Sequence, residues 1–301
     1  MNGYSVRLDA VLARTGVDRA VVYAILARAW QAASGIGTVL LIAHFLCPKA
    51  GGFYYTFACL IALQSFVELG LHLVITNVAS HEWARLDLDR SGAITGDKFA
   101  LARLASLGRF VFKWYSAASA VFVVVIGIAG WHFLSQGGDA SVNWQAPWLA
   151  VAILTGVTLW TLPFVALLEG CNQVVTVNGY RFVQAAASTV AVWLAIALGG
   201  ELWALVASAA VSAVFGLHLL MVRYRDFFRS FLRLPVHAAI AWREEVWPMQ
   251  WRLAAQGVVN YFMYWLATPV VFHYHGAEAA GKIGMTWQIV AMLQTVATAW
   301  L

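Results

Sequence analysis

The sequence has little charge: 11% of its 301 residues are charged, whereas 62% are hydrophobic. Soluble proteins average about 25% charged residues and roughly 45–50% apolar ones. A soluble core could not bury so much apolar surface, so we exclude a soluble globular fold. We also expect the first apolar block, residues 21–46, to remain as a membrane helix. It is longer than the core of a secretory leader and contains Arg28.

Cysteine is scarce too, and this absence limits the chemistry. Cys47, Cys59 and Cys171 occur singly, with no CxxC or Cys/His spacing, so neither a disulfide framework nor a zinc site is predicted. No glycine-rich phosphate motif occurs. Asp87-Leu88-Asp89 matches the DxD pattern of some sugar-nucleotide transferases, but its loop is too small for a nucleotide-binding domain. We therefore predict no catalytic residues, no metal and no cofactor. Nucleic acid is not indicated as a partner.

The hydrophobic residues form blocks close to the ~20 residues that cross a bilayer. They predict an all-α integral membrane protein with about eight spans, and the residue ranges of these spans are 21–46, 53–78, 111–134, 147–168, 182–198, 202–222, 246–272 and 283 onward. The predicted domains are an N-terminal segment (1–20), a six-helix bundle (21–222), a basic linker (223–245) and the first two helices of a truncated second bundle (246–301). We also predict a surface helix just before span three and an outer loop over residues 273–282.

Charge asymmetry predicts the orientation. With the N-terminus and the basic linker in the cytoplasm, nearly all arginines and lysines lie at that side, and only Lys49 and Lys282 face the other. Such a one-sided distribution follows the positive-inside rule. We therefore expect a multi-pass protein of the cytoplasmic (inner) membrane with a cytoplasmic N-terminus.

Polar residues inside three spans form stripes at helical spacing. Because intramembrane polar and charged groups are costly, the coincidence of three stripes predicts a shared water-filled cavity. Gly35 and Thr38 continue the stripe of span one, His72 that of span two and Tyr264 that of span seven. The candidate cavity residues are Arg28 and Gln31 on span one, Gln64 and Glu68 on span two, and Arg252, Gln256 and Asn260 on span seven.

Simpler interpretations stay open at single positions. Arg28 and Arg252 are near enough to the membrane interface to extend their charges into water. Glu68 could pair with a neighbouring helix, and the amides could form hydrogen bonds between helices.

Residues 244–287 loosely repeat the hairpin at the N-terminus, and spans one and seven enter from the same side. Three passages carry a family resemblance: GGFYYTFACLIALQSFVELGL, LLEGCNQV, and EEVWPMQWR with its continuation AGKIGMTW. In these the chain resembles the O-antigen-type polysaccharide flippases of the multidrug/oligosaccharidyl-lipid/polysaccharide exporter superfamily. Members have twelve to fourteen helices in two bundles around a V-shaped cavity. The resemblance implies that this chain is a partial sequence, with the first bundle and the opening hairpin of the second.

The resemblance implies a transporter that flips an undecaprenyl-pyrophosphate-linked oligosaccharide to the outer leaflet by alternating access, for surface polysaccharide synthesis. Arg28 and Arg252 would then neutralise the pyrophosphate. Membrane lipids, with a polysaccharide polymerase and ligase as candidates, are the other implied partners.

Two other functions remain as alternatives. A cation-coupled multidrug exporter of the same superfamily would use a deep acid, and Glu68 is the only one. A membrane-embedded glycolipid transferase or ligase would need larger outer loops than those predicted.

Overall fold

The computed structural model describes residues 19–68, 70–88, 94–136, 142–233, 244 and 247–297. These residues are almost entirely helical, and the only sheet among them is a two-stranded antiparallel hairpin. In chain order the elements are α1 (Arg19–Phe45), α2 (Pro48–Ile61), α3 (Gln64–Glu68), α4 (Leu71–Trp83), β1 (Leu86–Leu88), β2 (Ile94–Gly96), α5 (Lys98–Gln136), α6 (Gln145–Gly170), α7 (Val174–Ala197), α8 (Trp203–His218), a π-helical turn (Leu219–Arg223), α9 (Arg225–Arg233), α10 (Trp247–Tyr264) and α11 (Ala267–Ala297).

Five helical segments among the described residues are long and apolar enough to cross a membrane. They correspond to predicted spans two to six and cover Pro48–Glu68, Lys98–Gln136, Gln145–Gly170, Val174–Ala197 and Trp203–Arg223. A shorter apolar stretch, Ala29–Phe45, lies in α1. The chain is therefore an all-α membrane protein, as predicted. The full set of eight spans and the domain division stay predictions.

The second predicted span is interrupted, although its sequence predicted one continuous helix over residues 53–78. Cys47 caps the start of α2 by accepting a hydrogen bond from the backbone N–H of Ala50, and Pro48 occupies the first turn. A turn at Ala62 and Leu63 separates α2 from α3. Gly70, with φ 70° and ψ 9°, precedes α4 in the left-handed conformation that glycine adopts without steric cost. Span two is thus built from three shorter helices.

The third span is longer than predicted, whereas the second is divided. The predicted surface helix and predicted span 111–134 form a single helix, α5, which runs unbroken for 39 residues. A hairpin of β1 and β2 precedes it, with Leu86 paired to Gly96. Leu86 and Ile94 are buried in the same hydrophobic cluster as α4, α5 and α6. The hairpin therefore belongs to the packed fold, where the sequence predicted a loop.

The last two helices also depart from the predicted boundaries. Predicted span seven, residues 246–272, ends at Tyr264, and α11 begins at Ala267. The expected outer loop, residues 273–282, is helical except at Gly276, whose φ of 82° and ψ of 176° make a sharp bend. A bend at one glycine therefore occurs where the sequence predicted a ten-residue loop.

Two hydrophobic clusters form the core. The first joins α4, α5 and α6, and the buried rings of Phe227 and Phe231 attach α9 of the basic linker to it. The second joins α1, α2, α6 and α11 around Phe53, Trp148 and Phe272. α11 packs closely along α2, where a Cβ on Gly52 would lie 1.8 Å from the backbone oxygen of Ala277. The last helix is therefore in backbone contact with the second span.

Candidate functional site

The interruption of span two at Gly70 is the centre of the candidate site. Gly70 lies just past the apolar segment Pro48–Glu68 and inside the predicted span 53–78. Within a membrane, backbone that is not helical is tolerated only when protein covers it or when it lines a water-filled cavity. On one side of the interruption, Leu71, Val74 and Ile75 are buried in protein. Broken helices of this kind often form the binding sites of membrane transporters. Polar groups beside the break are therefore candidates for a binding site.

Helix α10 packs directly against this break. A Cβ on Gly70 would approach the Cβ of Leu253 to 2.4 Å, so only glycine allows the two helices so close. One turn away, the rings of Phe66 and Tyr261 meet nearly edge-on with centroids 5.0 Å apart. The Tyr261 hydroxyl donates a hydrogen bond to the carbonyl oxygen of Cys59 at 3.3 Å. The break therefore lies where predicted span seven docks on span two.

Two of the predicted polar residues on span two come together at the break. The Glu68 carboxylate lies 3.9 Å from Nδ1 of His72, and the Glu68 side chain is only 18% exposed. The two side chains meet across the interruption at Gly70, where the backbone is not helical. Gln64 is half-buried one turn earlier and forms no hydrogen bond within the described residues.

Residues from three other helices complete a charge cluster, which we define as Glu68, His72, Tyr115, Glu169 and Arg181. Tyr115 of α5 is buried, and its hydroxyl lies within electrostatic reach of Glu68. Arg181 of α7 acts electrostatically on His72 and forms a 2.6 Å ion pair with Glu169 of α6. The cluster thus combines two mostly buried acids, Glu68 and Glu169, with a half-exposed guanidinium and a half-exposed imidazole.

The sequence did not identify Tyr115, Glu169 or Arg181 as site residues, because their proximity depends on helix packing. A Cβ on Gly170 would meet the Cβ of Ala79 at 2.6 Å, so α6 crosses α4 very closely at this glycine. Thr76 reinforces the crossing by donating a hydrogen bond to the carbonyl oxygen of Ala166 at 3.2 Å. The adjacent pair Glu169-Gly170 was the only sequence signal for this contact.

Two polar atoms of the cluster have no hydrogen bond within the described residues. The Tyr115 hydroxyl and Nδ1 of His72 are buried and form no hydrogen bond with any described residue. Buried polar groups are almost always hydrogen-bonded to protein, water or ligand. Arg181 also lines a neighbouring cavity of about 140 Å³ between α6, α7 and α8, together with Thr158, Thr161 and Gln184. The cluster therefore has both unsatisfied groups and space for water beside it.

The remaining predicted cavity residues are not joined to this cluster. Gln31 is exposed on α1, and Arg252, Gln256 and Asn260 are exposed on α10. No hydrogen bond or ion pair links these four side chains to one another in the described part of the chain. The side chain of Arg28 lies outside the described residues. The shared cavity that was expected to unite the three stripes stays a prediction.

Part of the stripe on α1 serves helix packing. The Thr38 hydroxyl accepts a hydrogen bond from the indole of Trp193 at 2.9 Å. A Cβ on Gly35 would touch the Met292 side chain at 3.0 Å. These two positions connect α1 to α7 and α11 and are used for contact between helices.

A cluster of acid, imidazole and guanidinium groups within a membrane protein can bind a cation, hold an anion or pass protons. Within the described residues, no group of three His, Cys, Asp or Glu side chains could hold a metal ion. Comparisons of the chain with protein-family models, with curated proteins and with solved structures found no match.

Proposed function

We propose that this chain acts as a membrane transporter that flips an undecaprenyl-pyrophosphate-linked oligosaccharide from the cytoplasmic to the outer leaflet of the cytoplasmic membrane. The observation that carries the proposal is the charge cluster at an interrupted membrane helix, at the contact between span two and α10. Transporters bind polar cargo at such interruptions because free backbone groups and charges meet there away from lipid. No bond in the cargo is made or broken in this proposal.

The cargo's chemistry explains why accessible cations on two different helices are useful. A pyrophosphate loses much of its hydration on entering a membrane protein, and guanidinium groups can replace that hydration with paired hydrogen bonds. Arg252 is exposed on α10, and Arg181 is 49% exposed although it is paired with Glu169. In the proposal, phosphate exchanges with Glu169 for Arg181, and the lipid tail stays in the bilayer.

The packing of α11 on α2 supports movement by alternating access. Backbone contact at Gly52 and Ala277 closes one end of the interface between the predicted halves. With the predicted cytoplasmic N-terminus, that end faces outward. Rocking of the second half about the break at Gly70 would open this end of the interface. The cargo would then leave on the outer side.

The direct test is a flipping assay in proteoliposomes that contain this protein and undecaprenyl-pyrophosphate-linked N-acetylglucosamine. Cargo that has crossed the bilayer is counted by its accessibility to an added galactosyltransferase. We expect Arg252→Ala and Arg28→Ala to slow flipping more than the matched Arg→Lys variants, because lysine keeps the charge. Arg229→Ala, at an exposed position of α9, is the control. Near-wild-type flipping by both alanine variants would remove these arginines from the mechanism.

A cation-coupled drug exporter is the second candidate, and the Glu68–His72 pair favours it. An acid 3.9 Å from an imidazole inside a membrane protein can exchange a proton for an organic cation. Ethidium efflux from the same proteoliposomes under an imposed pH gradient separates the two candidates. Gradient-driven efflux without glycolipid flipping would select the exporter and overturn the flippase proposal.

A further inference from the structure

A second cavity lies away from the charge cluster, between α2 and α11. It has a volume of about 290 Å³ and is closed by Leu205 of α8 and by the junction of α10 with α11. A Cβ on Gly284 would lie 2.4 Å from the Cβ of Tyr55, so this glycine brings the two helices together at the cavity wall. The cavity therefore depends on contact between the two predicted halves.

Five of its twelve lining residues are aromatic. Tyr54 and Tyr55 come from α2, Tyr264 from the end of α10, Trp265 from the turn that follows, and Trp287 from α11. Tyr264 and Trp287 meet edge-to-face at 6.1 Å, which fixes the orientation of both rings. No charged side chain lines this cavity. The wall thus suits a neutral ligand with flat or C–H-rich faces.

Two hydrogen-bonding atoms in the wall have no partner. The hydroxyl of Tyr55, a residue only 6% exposed, and Oε1 of Gln288 are both buried and form no hydrogen bond with any described residue. Another polar group of the wall, the Tyr264 hydroxyl, accepts a hydrogen bond from the Gln294 amide at 3.2 Å. An unsatisfied buried polar group costs about 1–3 kcal/mol, so a ligand that supplies hydroxyl groups would remove that cost at both positions.

We propose that this cavity binds a single sugar ring, a neutral hexopyranose of the transported glycolipid. The inference rests on the proposed function and adds where the carbohydrate part of the cargo is recognised. A pyranose presents C–H faces to aromatic rings and hydroxyls to Tyr55 and Gln288. Ligand pockets for drug-sized molecules begin near ~300 Å³, so about 290 Å³ accommodates one ring and excludes an extended chain.

An organic cation is the competing ligand, because aromatic walls also attract quaternary ammonium groups. Such a cation has no hydroxyls and would leave the Tyr55 hydroxyl and Gln288 Oε1 unpaired. The cavity chemistry therefore favours the sugar, and the test includes both ligand classes.

The test is saturation-transfer NMR with the protein in phosphatidylglycerol nanodiscs, which present neither a sugar detergent nor a choline head group. The probes are the methyl glycosides of glucose, galactose, mannose, N-acetylglucosamine, N-acetylgalactosamine and rhamnose, and tetramethylammonium. We expect transfer to at least one glycoside. Trp287→Ala and Gln288→Leu should each weaken its binding about tenfold or more, since each removes a contact worth roughly 1.4 kcal/mol. Tyr55→Phe, which removes only a hydroxyl, should weaken it about threefold to tenfold.

Matched controls lie outside the cavity. Tyr274→Phe changes a tyrosine that is 75% exposed, and Trp131→Ala changes an exposed tryptophan of α5; neither should alter binding. Melting curves exclude variants that fail to fold.

Absence of transfer to every glycoside, transfer insensitive to Trp287→Ala, or transfer to tetramethylammonium alone would overturn the inference. Glycoside binding in a protein that does not flip glycolipid would leave the sugar site standing while the transport proposal fails. If the cavity variants flipped glycolipid at the wild-type rate, the transport proposal would stand and the sugar site would fail.

Discussion

The second and third membrane-crossing segments are both apolar, yet one is interrupted and the other is continuous. Span two is divided into α2, α3 and α4, whereas α5 runs for 39 residues without a break. Glycine by itself does not explain the difference, because α5 contains Gly127 and Gly130 within regular helix. What differs is the neighbour: α10 and α11 pack against span two at Gly70, Gly52 and Gly284.

At Gly70 the close approach of Leu253 coincides with a departure from helical backbone, whereas Gly127 has no atom near its Cβ position and stays helical. The two segments also differ in their acidic residues. Glu68 lies at the break of span two, while α5 has no acidic residue and carries Lys113 on its exposed face.

Removing the charge at the break should affect transport most. We expect Glu68→Gln to reduce the rate of glycolipid flipping in proteoliposomes by about tenfold or more, equivalent to roughly 1.4 kcal/mol. The reason is that the neutral amide no longer interacts with His72 as a charge. Lys113→Gln, which removes an exposed charge from the continuous helix, should change the rate less than about twofold. Equal losses from both variants would abolish the distinction between the two helices.

The glycines should respond to alanine in opposite directions. Gly70→Ala should lower the free energy of unfolding by about 2–4 kcal/mol, from left-handed backbone strain and overlap with Leu253. Gly127→Ala in α5 should raise it by about 0.5–1 kcal/mol, because helical alanine is favoured and its Cβ would meet no atom within 4 Å. Unfolding in mixed micelles with increasing SDS measures both. A stable Gly70→Ala variant would show that the break tolerates an ordinary residue.

The Arg181–Glu169 ion pair of the charge cluster should contribute more to the free energy of unfolding than an ion pair on the surface. Arg181→Ala leaves Glu169, a side chain 16% exposed, without its cation and should cost about 1–3 kcal/mol of unfolding free energy, between the values for exposed and fully buried pairs. Lys282→Ala breaks the exposed 3.0 Å pair with Glu278 and should cost about 0.5 kcal/mol or less. The double variant of Arg181→Ala with Glu169→Ala should recover part of the loss. No recovery would mean that the two side chains act independently.

The hydrogen bond that joins α10 to α2 should make a modest contribution to stability. Tyr261→Phe removes the donor to the carbonyl oxygen of Cys59 and should cost about 0.5–1.5 kcal/mol, read as a lower melting temperature in detergent. Tyr274→Phe, at an exposed tyrosine, should melt like the wild type. If the two variants melted alike, the docking of α10 on span two would not depend on this bond.

The fold class followed from the sequence because membrane helices have a strong local signal. Block length and hydropathy predicted the all-α membrane architecture and the approximate positions of spans two to six. The hairpin of β1 and β2 was missed because strands of three residues have no measurable periodicity. The breaks at Gly70 and Gly276 were missed because helix interiors and helix breaks both contain glycine in membrane proteins.

The candidate site was predictable only where its residues share one helix. Four-residue spacing identified Glu68 and His72, whereas Arg181 and Glu169 reach them through the crossing of α4 and α6 at Gly170. The walls of the aromatic cavity could not be recognised from the sequence for the same reason. Tyr55 and Trp287 are two of many aromatic residues in apolar segments, and their common cavity exists only once α11 lies against α2.

The Tyr261 hydrogen bond to Cys59 also constrains how the chain is made. Its two ends are 202 positions apart, so a ribosome adding about 5–20 residues per second needs about 10–40 s between them. During that interval the face of span two that later receives α10 must be shielded by lipid or by an insertion factor. A synthesis pause within the linker before α10 would lengthen that exposure and increase the fraction of newly made protein sent to membrane proteases.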